Sequence, residues 1–239
     1  MNKMKYLTKK QMSEVDNFAM KKYGVKSEFL MENAGKNIAE FVSKLKHKPK
    51  RVVFFIGKGN NAGDGMVAAR HLSIKNFDIE IISVFNPKEM NDLAREQFNI
   101  LRKIGIKISN KYNPQKGDLI LDALLGYNLK GGARGRIKEN IDFINSLKGS
   151  FSGLSVVSVD IPSGLDSDED FKKQVFQKEK SIIRADYILT LALAKKSLKK
   201  IRNLYVINIG VPWKVYNELG IIRTNGKDYF NKSDIIKIS

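Results

Sequence analysis

RVVFFIGKGNNAGDGMVAARHLSI (51–74), followed after a short break by DIEIISV (78–84), decides the fold. Two short runs rich in β-branched and aromatic residues flank a helical pattern around Gly65 to Ile74, and that is the rhythm of a βαβ unit. The runs are apolar at successive positions, not alternate ones. A strand buried on both faces needs such a run, and strands of that kind make parallel sheets. The rhythm continues downstream. Asp92 to Ile104 reads as a helix ended by Gly105, IKIS (106–109) as a short strand and DLILD (118–122) as the next. Ile137, Ile141, Ile144 and Leu147 recur at spacings of four and three, which predicts a helix. LSVVSVD (154–160), ADYILTLAL (185–193) and LYVINI (204–209) complete the strands. The fold class is α/β, with a parallel sheet covered by helices on both faces.

Upstream of this block lie two helical patterns. Thr8 with Gln11 reads as a capping box that opens a helix carrying Met12, Val15 and Ala19, and Gly24 interrupts it. A second helix places Leu30, Met31, Ala34, Ile38, Phe41, Val42 and Leu45 on one stripe, closed by the lysines of KLKHKPKR (44–51) and by Pro49. No repeat or linker divides the chain, so residues 1–239 read as one domain with the N-terminal helices packed on it or on a partner subunit.

Composition excludes several chemistries. The chain is 42% hydrophobic and 28% charged, as ordinary globular proteins are. It has no cysteine, which removes disulfides, thiolate metal sites and a cysteine nucleophile. His47 and His71 are its only imidazoles, an argument against a zinc enzyme. No apolar run is long enough to span a bilayer, and the N-terminal MNKMKYLTKKQMSEVD turns polar too soon for a secretory signal, so the cytoplasm is the expected location. The formal charge of +18 invites a nucleic-acid reading, but the excess is spread over 44–50, 172–180 and 195–200. A solvated basic surface with no specific nucleic-acid groove is the favoured reading.

In an open α/β sheet, ligands bind beyond the carboxyl ends of the strands. Three segments there stand out: GKGNNAGDG (57–65), DALLGYNLKGG (122–132) and DIPSGLD (160–166). The glycines of the first let backbone approach a ligand, and Gly57-x-Gly59-x-x-Ala62 fits a dinucleotide fingerprint, a weak signal taken alone. An ordinary NAD dehydrogenase would place an acid after the second strand to hold the ribose, and Ser83-Val84-Phe85-Asn86 supplies none. Asp122 and Asp160 each end an apolar strand, where an unpaired carboxylate is costly to bury. Carboxylates converging on one cleft would repel unless a cation, a proton or Lys130 intervened. Pro162 fixes the turn after Asp160 and is expected to leave the Ser163 hydroxyl and Gly164 amide facing the cleft. Ser163 as a nucleophile is rejected, because it lacks the Gly-x-Ser-x-Gly elbow and no histidine follows it. His71, inside a long helix, reads as a packed or surface residue.

Taken together these segments resemble the family of the YjeF N-terminal domain, whose enzymes are NAD(P)H-hydrate epimerases. GNNAGDGMVAARHL (59–72) is similar to the family's GNNGGDG-x-VAARHL, with Ala62 for one glycine, and VDIPSGLD (159–166) matches almost letter for letter. LMENAG (30–35), LDALLG with the following LKG, LALAKKSL (191–198) and INIGVP (207–212) resemble further signatures in the family's order. The resemblance implies a three-layer αβα sandwich with a Rossmann-like, mostly parallel sheet, commonly as a homodimer. It implies that Asn60, Asn61, Ala62, Gly63 and Asp64, then Gly126, Tyr127, Asn128, Leu129, Lys130, Gly131 and Gly132, and Asp160 contact the hydrated dinucleotide, NADHX or NADPHX. It implies that Asn61, Asp122 and Ser163 hold a potassium ion. Asp160 is the expected acid/base group, with Lys130 binding anionic oxygen or keeping Asp160 ionised. Two departures stand out: SDEDFKKQVFQKEKSIIR (167–184) replaces a Thr-Gly turn and further glycines, and Ala194 replaces the proline before the signature lysine. The kinase-like dehydratase domain often fused in this family is not in these residues, so a separate dehydratase is the expected functional partner. A non-catalytic scaffold, or RNA- or ligand-binding protein of the same fold, is the alternative; it need not retain Asn61, Asp64, Asp122, Asp160 and Ser163 together.

Overall fold

The computed structural model describes residues 5–129, 131–151, 153–177, 179–222 and 229–239. It opens with strand β1 (Tyr6–Leu7) and helices α1 (Lys9–Tyr23) and α2 (Ser27–Ser43). There follow β2 (Arg51–Ile56), α3 (Asn60–Ile74), β3 (Asp78–Ser83), α4 (Asp92–Lys103), β4 (Lys107–Ser109), β5 (Asp118–Ala123), α5 (Gly135–Ser150) and β6 (Ser155–Val159). The chain ends with α6 (Phe171–Val175), β7 (Tyr187–Leu191), β8 (Ala194–Lys195), β9 (Leu204–Ile207), α7 (Trp213–Glu218) and β10 (Ile235–Lys237). Eight strands form one sheet in the order β10-β9-β7-β6-β5-β2-β3-β4. Its pairings are parallel except that of β10 with β9. β1 and β8 pair in parallel apart from it, Tyr6 opposite Ala194 and Leu7 opposite Lys195.

The continuous apolar run of β2 has the expected cause. Val52, Phe54 and Ile56 enter the core shared with α1 to α4 and α7, whereas Val53 and Phe55 enter the core under α5, whose Ile137, Ile141, Ile144 and Leu147 form the predicted stripe. Helices therefore cover both faces in three layers. Thr8 and Gln11 make the capping box of α1, and Gly24 ends it in the left-handed region at φ 66°. Among the described residues no helix is long and apolar enough to cross a membrane.

The largest departure from the sequence reading is at α3, which begins at Asn60 instead of near Gly65, with Gly59 as its N-cap. The glycines that read as a loop are inside the helix because neighbours press on them. A Cβ on Gly63 would lie 2.6 Å from the Met31 sulfur, and one on Gly65 would lie 2.7 Å from the Ala123 Cβ. In the same way Gly35 of α2 faces Val67, at 2.4 Å from its Cβ. Close packing here offsets the poor helix propensity of glycine, about 1 kcal/mol per residue. Strands β1, β8 and β10 and helices α6 and α7 carry too few residues for a periodic signal and were not predicted.

At the amino end of the sheet, far from the predicted loops, buried Arg51 bridges two neighbouring strands. Its Nη1 is 2.6 Å from Glu80, and its Nε and Nη2 clasp Asp118 at 3.1 and 2.7 Å. Burial pushes the Asp118 carboxyl up, but Arg51, Tyr112 and the Gln115 amide outweigh it and hold the group below the ordinary range.

Candidate active site

The order β4-β3-β2 on one side and β5-β6-β7-β9 on the other means that the direction in which strands are added to the sheet reverses between the parallel neighbours β2 and β5, and a crevice opens at the carboxyl ends of these two strands. A cleft of about 650 Å³ occupies it. Asn60, Asn61, Asp64, Gly126, Tyr127, Asn128, Leu129 and Asp160 line this cleft. Ala62 and Gly63 are buried in the first turns of α3 and do not line it, and neither do Gly131 and Gly132. Lys130 lies outside the described residues. The N-terminal helices pack on the sheet, and Met12, Asp16 and Met20 of α1 with Leu30, Met31 and Ala34 of α2 form one wall.

Asp160 follows β6 in the left-handed region, at φ 68°. The Ile161 amide donates to the Val159 carbonyl at 2.9 Å across it, closing a γ-turn. Such backbone costs on the order of 1–3 kcal/mol and persists only where the surroundings over-determine it. They do so here. The Asp160 amide donates to Leu189 O at 2.8 Å, and its carboxylate receives Lys195 Nζ at 2.5 Å, Tyr127 N at 3.1 Å and Leu191 N at 3.3 Å. Lys195 is 1% exposed, donates also to Leu191 O at 2.7 Å, and sits 5.5 Å from the centroid of the Tyr127 ring. Lys195 is thus the cation that keeps company with Asp160 among the described residues, a role the sequence reading gave to Lys130. One sign of it was available: Lys195 follows the strand run 185–193, where the carboxyl-end rule applies as it does to the other three segments.

Asp16 was also missed, because nothing marks it among the polar residues of an amphipathic helix. It accepts the Tyr127 hydroxyl at 2.6 Å. Burial raises its carboxyl, against the Tyr127 hydrogen bond and the Lys195 charge. Asp64 accepts no hydrogen bond among the described residues. Burial first, then the charges of Asp160 and Asp16, push it well above the ordinary carboxylate range. The cleft therefore holds an ion pair, Asp160 with Lys195, beside a carboxyl that burial and its acidic neighbours push upward.

Beneath the cleft floor, buried Asp122 accepts Ser163 N at 2.9 Å and Ser158 Oγ at 2.8 Å on one oxygen, and Ser163 Oγ at 2.5 Å and Leu124 N at 3.3 Å on the other. The Ser163 hydroxyl, expected to face the cleft, is turned onto Asp122 and does not line it, because an unpartnered carboxylate there would cost more. Burial nevertheless raises the Asp122 carboxyl. Asn61 Nδ2 donates to Leu125 O at 3.0 Å, which fixes the amide, and its Oδ1 is buried without a hydrogen-bond partner among the described residues. An orphaned amide oxygen beside a buried carboxylate and a hydroxyl is an all-oxygen donor set that fits a hard cation. No cluster of three or more His, Cys, Asp or Glu side chains able to hold a metal occurs among the described residues.

Known proteins share this architecture and match much of this sequence. Residues 27–197 match the family described as YjeF-related protein N-terminus. A bifunctional NAD(P)H-hydrate repair enzyme Nnr of Archaeoglobus fulgidus is 36% identical over 203 residues, which are 83% of this chain and 40% of that one, so the chain spans well under half of that relative. An NAD(P)H-hydrate epimerase of Entamoeba histolytica is 32% identical over 224 residues, covering 92% of this chain and 94% of the relative. The crystal structure of yeast ynu0, YNL200c, superposes with a TM-score of 0.80 over 98% of this chain and 100% of that one, at 23% identity, and shows the same fold.

Proposed function

The chain belongs to the family of the YjeF-related protein N-terminus, and we propose that it works there as an NAD(P)H-hydrate epimerase, an isomerase that interconverts the R and S forms of NADHX and NADPHX. The observation that carries the reading is the Asp160–Lys195 pair, buried at the inner end of a cleft of dinucleotide size. Relatives matched along nearly their whole length bear that activity in their names.

The substrate carries a hydroxyl on ring carbon six, next to the ring nitrogen. The nitrogen pushes electrons toward that carbon as the hydroxyl leaves, or the ring opens reversibly; either route erases the stereocentre. An enzyme must protonate or hydrogen-bond the departing oxygen and guide its return to the opposite face. Asp160 is the acid/base group of this reading: its strained turn and three donors fix its oxygens, and Lys195 supplies the charge it needs between proton transfers. Asp64 lines the same cleft, its carboxyl pushed up by burial and by Asp160 and Asp16, and takes up a proton more readily than an exposed carboxylate. Tyr127, anchored to Asp16, positions the loop amide that holds Asp160. Lys130 remains the candidate for an anionic oxygen. No hydride moves, so no redox co-substrate enters.

Asn61, Asp122 and Ser163 would hold a potassium ion, which supplies a fixed positive charge under the floor and offsets the burial of Asp122. A melting temperature higher in potassium chloride than in choline chloride of equal ionic strength, and insensitive to that exchange in Asn61→Leu, supports it; equal melting in both salts counts against it. A second copy of the chain and an NAD(P)H-hydrate dehydratase complete the proposed partners.

The deciding experiment incubates one purified epimer of NADHX or NADPHX with the protein in potassium buffer. Epimerisation far faster than in buffer is expected. A rate equal to the uncatalysed one, with folded protein, refutes the reading and leaves the scaffold alternative.

A further inference from the structure

Resting on the epimerase reading, we propose that the β3 side of the cleft is a subsite for the 2′-phosphate on the adenosine half, which makes NADPHX the preferred substrate. The order β4-β3-β2-β5-β6-β7 is that of a dinucleotide-binding sheet, in which the segment following the strand next to the first, here β3, meets the adenosine ribose. Sites that select the unphosphorylated ribose place a carboxylate there, and sites that take the phosphate place a cation. Here Phe85 follows β3 and lines the cleft together with Lys58. Lys58 Nζ lies 5.1 Å from the centroid of the Phe85 ring, and the Arg136 guanidinium lies 4.4 Å from the same centroid.

The commitments of the neighbouring groups give the wall its sign. Glu89 is engaged by Arg136 Nη2 at 2.6 Å and by the Asn86 amide at 3.0 Å, and these, with the nearby charge of Lys58, hold its carboxyl below the usual range. Arg136 also donates to Val84 O at 3.2 Å, fixing the segment that carries Phe85. The Asn91 amide donates to Lys58 O at 3.0 Å, which pins the lysine's backbone. The Lys58 ammonium makes no hydrogen bond or ion pair among the described residues. Of the carboxylates that line the cleft, Asp16, Asp64 and Asp160, Asp160 accepts the Tyr127 amide and Asp16 the Tyr127 hydroxyl, so these two gather around Tyr127. A lysine without a direct hydrogen bond or ion pair among the described residues, set over an aromatic ring and backed by an arginine, is a receptor for a phosphate attached to a flat nucleoside.

The test measures kcat/KM for NADPHX and NADHX, and by calorimetry the Kd of unhydrated NADP and NAD, in wild type, Lys58→Met and Lys58→Glu. Lys58 is exposed, so both variants are expected to fold. Wild type should favour the phosphorylated form by about tenfold or more in both measurements, the value of one charge-assisted hydrogen bond. Lys58→Met should bring the ratio near one, and Lys58→Glu should invert it. A wild-type ratio near one, or a ratio that Lys58→Met leaves in place, overturns the subsite; if both hydrates still turn over, the epimerase reading stands without it. If neither hydrate turns over but NADP binds more tightly in a Lys58-dependent manner, the subsite stands and the epimerase reading falls.

Discussion

Replacing Lys195 by methionine tests whether the pair at the inner end of the cleft is one interdependent unit. Lys195 and Asp160 are 1% and 3% exposed. Without the ammonium, the Asp160 carboxylate keeps among the described residues two longer contacts, from Tyr127 N at 3.1 Å and Leu191 N at 3.3 Å, and Leu191 O loses its 2.7 Å donor. Removing one partner of a buried pair leaves an uncompensated charge and costs about 3–5 kcal/mol. For a chain of this length that lowers the melting temperature by roughly 10 °C, at about 2–4 °C per kcal/mol. Neutralising the other partner as well removes the cause, so Asp160→Asn/Lys195→Met should recover most of the loss, with a coupling energy of about 2 kcal/mol or more. Urea unfolding followed by the fluorescence of Trp213, the chain's single tryptophan, measures all four proteins, with equal slopes required for comparison. The reasoning fails if Lys195→Met loses less than about 1 kcal/mol, or if the double variant loses the sum of the two single losses.

Asp160→Asn should lower epimerase turnover by about a hundredfold or more, while NADP binding measured by calorimetry changes little; near-wild-type turnover removes Asp160 from the acid/base role. Gly35→Ala should cost about 1–3 kcal/mol in urea unfolding, because its Cβ would meet Val67 at 2.4 Å and the Ala68 amide at 2.8 Å; a neutral change would show that α2 and α3 separate freely. Asp118 has a depressed folded pKa, so its contribution is present above the unfolded value of about 4 and is lost as pH falls through the folded one. Asp118→Asn should therefore be clearly less stable at pH 7 and approach wild type as the medium is acidified. A stability gap that stays constant down to pH 3 would place the effect elsewhere than in the carboxylate.

The sheet and its covering helices are legible because each strand run is buried on both faces and each long helix carries an apolar stripe, as β2 and α5 do. The start of α3 is not, since the glycines that look like loop residues are set by contacts with Met31 and Ala123, both far away in sequence. Strands as short as β1 and β8 exist only through each other. The site divides along the same line. Asp122 and Asp160 announce themselves as acids ending apolar strands. Their partners do not: Lys195 reaches Asp160 from 35 residues away, Asp16 arrives on a helix outside the sheet, and the turning of Ser163 onto Asp122 depends on which way a turn faces.

The outermost strands also bear on how molecules of this protein meet. β4 has three residues and carries Lys107, whose ammonium is spent on Glu80, and β10 has three residues and ends on Lys237. Such brief, lysine-bearing margins give a neighbouring chain little length of free backbone to extend and hinder stacking into fibrils. A second copy would be directed to the helical faces, which a closed two-fold pair can use without continuing into a filament.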